Sequence, residues 1–222
     1  GLSKHLQGGF IKKNMVQNPY QNALLPAPVG GGYSDPDYWI WCGSVVQGED
    51  GAYHMFASRW PKDLGFGANW LFNCEIVRAS SKNPEGPYTF QEVVLGRRGR
   101  TFFDGMNVHN PYIRKWNQTY YLYYMGTTFG GPIPGPGDEV DSSRFTEVWN
   151  RKRIGLATAP SVFGPWTRCD EPLISPRDCS HWDCTATTNP AVAIQPDGTT
   201  YMLYKSRSFA DGPLKIGFAK AP

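Results

Sequence analysis

Long apolar runs are missing from this sequence, and so are stretches with apolar residues at helical spacing. The first absence leaves no segment able to cross a membrane as a helix. The second argues against a helical architecture. Charge of one sign is scarce as well: 22 Lys and Arg stand against 19 Asp and Glu, a net charge of +3, and the basic residues are scattered. Such a balance lacks the clustered footprint of a nucleic-acid-binding surface. There is no Gly-x-Ser-x-Gly turn, no phosphate-binding loop and no dinucleotide fingerprint. "GGPIPGPG", residues 130–137, lacks the Lys-Ser/Thr of a phosphate loop and reads as a flexible loop. Nothing in the chain calls for a cofactor.

Cysteine is sparse too. Cys42, Cys74, Cys169, Cys179 and Cys184 make an odd count, which forbids complete internal pairing. "CSHWDC" gathers Cys179, His181, Asp183 and Cys184, but structural zinc sites bring ligands from two separated pairs and no second pair exists. No metal is expected there; a disulfide or free thiols are. The first residue is Gly1, which reads as a processed start, and "NQT" at Asn117 is a glycosylation acceptor pattern. Secretion is an expectation on that basis.

What the chain has in plenty is aromatic and turn-forming residues. Aromatics make 14%, including 8 Trp and 12 Tyr, while 25 Gly and 19 Pro punctuate the chain too often for long helices. Tyr, Trp, Phe, Val, Ile and Thr cluster in short runs between turn signals, as strands do. An all-β fold is expected.

The chain also repeats itself. "DYWIWCGSVVQGEDGAYHMFASR" from Asp37, "DGMNVHNPYIRKWNQTYYLYYMG" from Asp104 and "DCTATTNPAVAIQPDGTTYMLYKS" from Asp183 align. Asp37 to Asp104 is 67 positions, as is Tyr53 to Tyr120; Asp104 to Asp183 is 79, as is Asn110 to Asn189. A second segment follows each: "EIVRASSKNPEGPY", "RIGLATAPSVFGPW" and "KIGFAKAP". Offsets shared across separate landmarks argue against a sandwich with coincidental similarity. Each unit reads as four strands, and four-stranded units arranged radially make a β-propeller. The expected organisation is a single domain, 1–222, with an N-terminal arm over 1–30 and blades over about 37–100, 104–177 and 183–222. Ile76 to Pro87 and Ile154 to Pro165 both span 11 positions, whereas 11 beyond Ile216 passes the last residue, Pro222. The chain is therefore expected to be a fragment or processed piece of a larger ring.

In an up-and-down blade, the start of the first strand and the loop between the second and third lie at one end. The elaborate segments fall there: "RWPKDLGFGANWLFN" in the first unit and the 26 residues of "TTFGGPIPGPGDEVDSSRFTEVWNRK" in the second. Loops of that length in a compact domain are functional or disordered. A site is expected at this mouth.

"HNPYIRKWNQTYYLYYMG" and "TNPAVAIQPDGTTYMLYKS" resemble the blade openings of five-bladed propeller glycoside hydrolases, namely glycoside hydrolase family 43 and its relatives, families 32, 62, 68 and 117. "IGLATAPSVFGPW" is similar to their Ala-Thr-Ser…Gly-Pro-Trp segments. The resemblance runs from about Asp37 onward and is nearest to a group described only as family-43-like. It implies a five-bladed propeller, of which about three blades are present, with a missing C-terminal segment or a second chain completing the ring. It also implies acid/base hydrolysis of a glycosidic bond in an oligo- or polysaccharide, without a cofactor and inverting by analogy. Where the family has a catalytic Asp before Pro, this chain has Asn110 and Asn189, and Gly43 at the matching offset in the first unit. An amide is no general base, so the alternative is a propeller that has lost its carboxylates and binds carbohydrate or a protein partner.

Glycoside hydrolysis ordinarily uses two carboxyl groups. Asp37, Asp104 and Asp183 hold equivalent places, either converging on an axis or serving as a repeated turn or cap. Asp37 is the better catalytic candidate, because Trp39 and Trp41 can desolvate it. Glu75 stands where its siblings are Arg153 and Lys215; it is either the general acid or the partner of a neighbouring Arg. His109, alone among the units, is an acid or base near neutral pH, a sugar ligand, or a structural imidazole. Asn110 and Asn189 suit sugar hydroxyls, and Trp60 and Trp70 can form a stacking platform. Arg59, Lys205 and Arg207 close their strands at the same end and either bind an acidic sugar or stay solvated.

Overall fold

The computed structural model describes residues 27–210 and 212–222. Most of the expected N-terminal arm, 1–26, lies outside the described residues. The all-β expectation holds. β1 (Tyr38–Gln47), β2 (Tyr53–Pro61), β3 (Glu75–Ser81) and β4 (Thr89–Leu95) form one antiparallel meander. β5 (Asn107–Trp116), β6 (Thr119–Thr127), β7 (Arg153–Ala159) and β8 (Thr167–Arg168) form a second, and β9 (Thr188–Ile194), β10 (Thr200–Ser206) and β11 (Lys215–Ala221) a third. β5 packs beside β1 on one side and β9 on the other, so the first strands of the three blades sit together. The strand after each Gly-Pro-aromatic begins alike: Gly86–Pro87 and Gly164–Pro165 are both cis.

The second blade explains the aromatic run in β6. Its side chains alternate between two neighbours, as period-two geometry requires. Tyr120, Leu122 and Tyr124 join Phe56, Ile76 and Leu95 of the first blade in one buried cluster. Tyr121 and Tyr123 turn the other way, toward Val192, Met202 and Tyr204 of the third. A strand covered on both faces has no place for polar alternation.

Asp104 and Asp183 are the anchors of a repeated latch. Asp104 is wholly buried; Arg98 reaches it at 2.6 Å and Arg168 at 3.3 Å, and the Tyr124 hydroxyl donates to it at 2.7 Å. Asp183 accepts from Arg177 at 2.8 Å and from the Tyr204 hydroxyl at 2.7 Å. Burial pushes the Asp183 carboxyl up, but the Tyr204 hydroxyl and the Arg177 guanidinium together hold it below the usual carboxylate range. Burial and the Asp183 carboxylate push the Tyr204 phenol up to about 12. Each tyrosine lies over a glycine on the next strand: a Cβ at Gly155 would come within 2.6 Å of Tyr124, and one at Gly217 within 2.6 Å of Tyr204. In the first blade those places are Ala57 and Val77, a register pair, and the latch is absent. Asp37 is exposed, with its backbone carbonyl accepting from Lys62 N at 2.9 Å. The threefold equivalence expected of the three aspartates thus holds for two.

Two further expectations change. The chain does hold a stretch with apolar residues at helical spacing, since the 127–152 segment, expected to be a functional or disordered loop, contains a helix, α1 (Ser142–Asn150). Asp141 caps it, accepting from Arg144 N at 2.9 Å, and Phe145, Val148 and Trp149 recur at helical spacing on its packed side. The match to Asn110 in the first blade is also not Gly43. Cys42, Asn110 and Asn189 all adopt φ 53°, each at an irregularity in its strand's pairing. The bulge register, not the offset from Asp37, sets the correspondence.

Asp104→Asn should destabilise the fold by about 3 kcal/mol or more, because it leaves two arginines facing a buried neutral group. Tyr124→Phe should cost about 1 kcal/mol, one hydrogen bond. Denaturant midpoints measure both, and equal midpoints for Asp104→Asn and the parent would refute the latch.

Candidate functional site

Where β1, β5 and β9 converge, a cavity of about 270 Å³ opens on the side of the two long loops. The bulges build its polar floor. A side chain at a left-handed backbone position leaves its strand at an angle that regular pleating does not allow, and asparagine tolerates that position better than most residues. Asn110 and Asn189 both line the cavity. The Asn110 backbone N–H donates to Ser58 Oγ at 2.9 Å, tying the second blade's bulge to β2 of the first.

Its walls are indole. Trp41 comes from β1, Trp60 from β2, Trp70 from the β2–β3 loop and Trp149 from α1. The last two are placed by packing between the loops: Leu71 and Phe72 meet Phe129 and Val148 in a buried cluster that also takes in Phe145. Asn73 Nδ2 donates to the Pro134 carbonyl at 3.0 Å, a second tie between them. Trp70 stands edge-on to His109, with ring centroids 5.1 Å apart.

The remaining polar lining is basic or neutral. His109 is buried, and its Nε2 has no hydrogen-bond partner among the described residues. Burial, then the nearby Lys152 charge, lowers its pKa to about 3, so the ring is neutral at pH 7 and offers no imidazolium acid. Lys152 follows α1 and is 2% exposed, its Nζ 3.5 Å from the Trp149 ring centre and 5.5 Å from that of Trp70. Burial, then Lys205 and Arg207, hold its pKa well below the ordinary lysine value. Lys205, on β10, is lowered by burial as well. The Cys74 thiol, which also lines the cavity, is pushed up by burial and is no thiolate at neutral pH.

Of the residues expected from sequence, the cavity gathers Trp41, Trp60, Trp70, His109, Asn110, Asn189 and Lys205. The carboxylates lie elsewhere. Glu75 is paired with Arg59 at 2.9 Å, and that guanidinium also lies over Tyr38 and Phe90, on the face of β2 opposite Ser58 and Trp60. Glu75 thus takes its ion-pairing alternative, and neither residue reaches the cavity. Asp104 and Asp183 are consumed by the latch. Asp37 lines a separate surface groove with Pro61 and Lys62, and the indoles do not enclose it. Trp39 packs edge-on against Phe66 at 5.4 Å, outside the cavity. Arg207 lies over Trp149 at 3.7 Å and donates to Asn150 Oδ1 at 3.0 Å, behind the wall rather than in it. A larger open groove, about 540 Å³, runs beside Ile216 and Phe218, but the polar groups of Arg177 and Asp183 there are engaged with each other.

No protein-family model matches the chain, and no curated protein matches it. Solved structures do match. A family 117 glycoside hydrolase from the marine bacterium Zobellia galactanivorans aligns with a TM-score of 0.63 and 21% identity, covering 89% of this chain and 55% of its own. The endo-arabinase of Bacteroides thetaiotaomicron aligns at 0.53 and 11% identity, covering 82% and 51%. An exo-1,5-α-L-arabinanase from a bovine ruminal metagenomic library aligns at 0.50 and 18%, covering 90% and 54%. The fold is that of the glycosidase β-propellers. The chain spans about half the length of these structures.

Trp149 and Lys152 were missed from sequence, because the segment carrying them read as loop. The signal was present in Asp141 followed by Phe145, Val148 and Trp149.

One His resonance should stay neutral between about pH 5 and 8, where an ordinary imidazole titrates. Since the folded pKa lies below the unfolded value, the unfolded state takes up the proton first, and this group's destabilising effect grows as pH falls from about 6.5 toward 3. Nitrogen-15 NMR tests it; a midpoint for His109 near the ordinary value would contradict the buried, unpartnered geometry.

Proposed function

We propose that the cavity is a carbohydrate site in a glycosidase-type propeller. The observation that carries this is the convergence of four indoles with two bulge-mounted amides, Asn110 and Asn189, at the meeting of three blades. Indole faces suit the C–H faces of a sugar ring, and amides suit its hydroxyls, which donate and accept. An oligo- or polysaccharide is the ligand of this reading, and a secreted protein is the natural carrier for it.

Hydrolysis needs more. Two carboxyl groups about 5–5.5 Å or 6.5–9.5 Å apart are the usual requirement. Of the chain's 19 Asp and Glu residues, all but Asp211 are described, and none of those lines the cavity. In this reading the described residues hold the sugar, and a glycosidic bond is cleaved where carboxylates from beyond them complete the site. The shared fold with enzymes about twice as long favours that version. The Asn-Pro openings favour the second, a propeller that binds carbohydrate without cleaving it.

Titrating intrinsic tryptophan fluorescence with xylo-, arabino- and galacto-oligosaccharides tests the site, with product release followed in parallel. Trp70→Ala should weaken binding about fivefold, from loss of about 1 kcal/mol of stacking. No response to any oligosaccharide would end the carbohydrate reading. Cleavage by this chain alone would show that carboxylates from outside are not needed.

A further inference from the structure

Lys152 is the least explained side chain among the described residues. It is 2% exposed, lines the cavity, and has no hydrogen-bond acceptor or carboxylate at its Nζ among the described residues, only the rings of Trp149 and Trp70. Burial without a counter-ion disfavours the ammonium form, so an anion entering the cavity would both accept from Nζ and restore its charge. Lys205 lines the same cavity from β10 of the third blade, and Arg207, just past the end of that strand, lies over Trp149. Their charges are close enough to weigh on one another and on His109. The third blade and the segment after α1 thus each direct a lysine into a cavity that no Asp or Glu among the described residues lines. Neutral sugars have no use for their charged form.

Resting on the carbohydrate reading above, we propose that the site is specific for an acidic sugar, whose carboxylate or sulfate ester sits between Lys152 and Lys205 while the ring lies against the indoles. The anion's place is set by Lys152, a buried and otherwise unpaired donor, so discrimination between acidic and neutral sugars depends on it first. Lys205, half-buried, adds to the attraction. An ion held by ammonium groups in a partly enclosed cavity is bound with weaker dependence on salt than one at the surface. The neutral His109 Nε2 gives a further hydrogen-bonding atom without adding charge.

Calorimetric titration at low salt with galacturonate, glucuronate and galactose 6-sulfate, each against its neutral counterpart, and with inorganic sulfate, decides it. The acidic sugars should bind at least tenfold more tightly than galactose or glucose, with the carboxylate and sulfate arms showing which anion fits. Lys152→Met should remove the preference while leaving the melting temperature equal or higher, since it replaces a buried charge by an apolar chain of like length. Lys205→Met should reduce the preference in part. Equal affinity for acidic and neutral sugars would overturn the proposal and leave the carbohydrate site standing. Binding of inorganic sulfate without any sugar would keep an anion site and reject the carbohydrate reading. A Lys152→Met protein that keeps the preference, or melts at a lower temperature, would show Lys152 to be structural and overturn its role. No binding by any probe would overturn both.

Discussion

A strand buried on both faces is the constraint from which the rest of the molecule follows. β6 has blade one against one side and blade three against the other, so its run of tyrosines is core in two directions at once. Each sheet needs a neighbour to cover it, and radial stacking is the arrangement that supplies one. Stacking in turn brings β1, β5 and β9 side by side. The cavity exists because three strands that begin alike converge, and because the same bulge occurs in each at Cys42, Asn110 and Asn189.

The carboxylates show how fold and chemistry compete for one residue type. Asp104 and Asp183 look catalytic by composition and position, yet each is enclosed by an arginine and a tyrosine, over a glycine that makes room for the ring. Such a carboxylate ties the segment ahead of a blade to its second strand and is not free to reach a substrate. Glu75 is spent in the same way on Arg59. The cavity is therefore left with amides, indoles, an imidazole kept neutral by burial and two lysines.

That residue set has a consistent physical character. The indoles supply apolar surface, the amides supply polarity without charge, and the lysines supply donors whose charged form burial disfavours until an anion faces them. The loop helix α1 brings one lysine and one indole into position, so the packing of its Val148 and Phe145 against Leu71 and Phe72 supports the site as well as covering it.

Local pattern determined the strand content, the blade repeat and seven of the cavity's residues, Lys205 among them, because period-two burial, turn residues and repeated spacings are properties of short stretches of chain. The indoles and asparagines at the mouth were legible for the same reason. Partnership was not. That Asp104 faces Arg98 and Arg168, that Glu75 faces Arg59, and that Lys152 faces nothing but rings are facts about chain segments far apart in sequence, Asp104 and Arg168 being 64 positions apart. Equivalence within a repeat could not reveal them either, since Ala57 and Val77 silently remove from blade one the latch that blades two and three share. Only the tertiary structure decided which charges cancel and which remain, because cancellation depends on distance through space and on the water that burial removes.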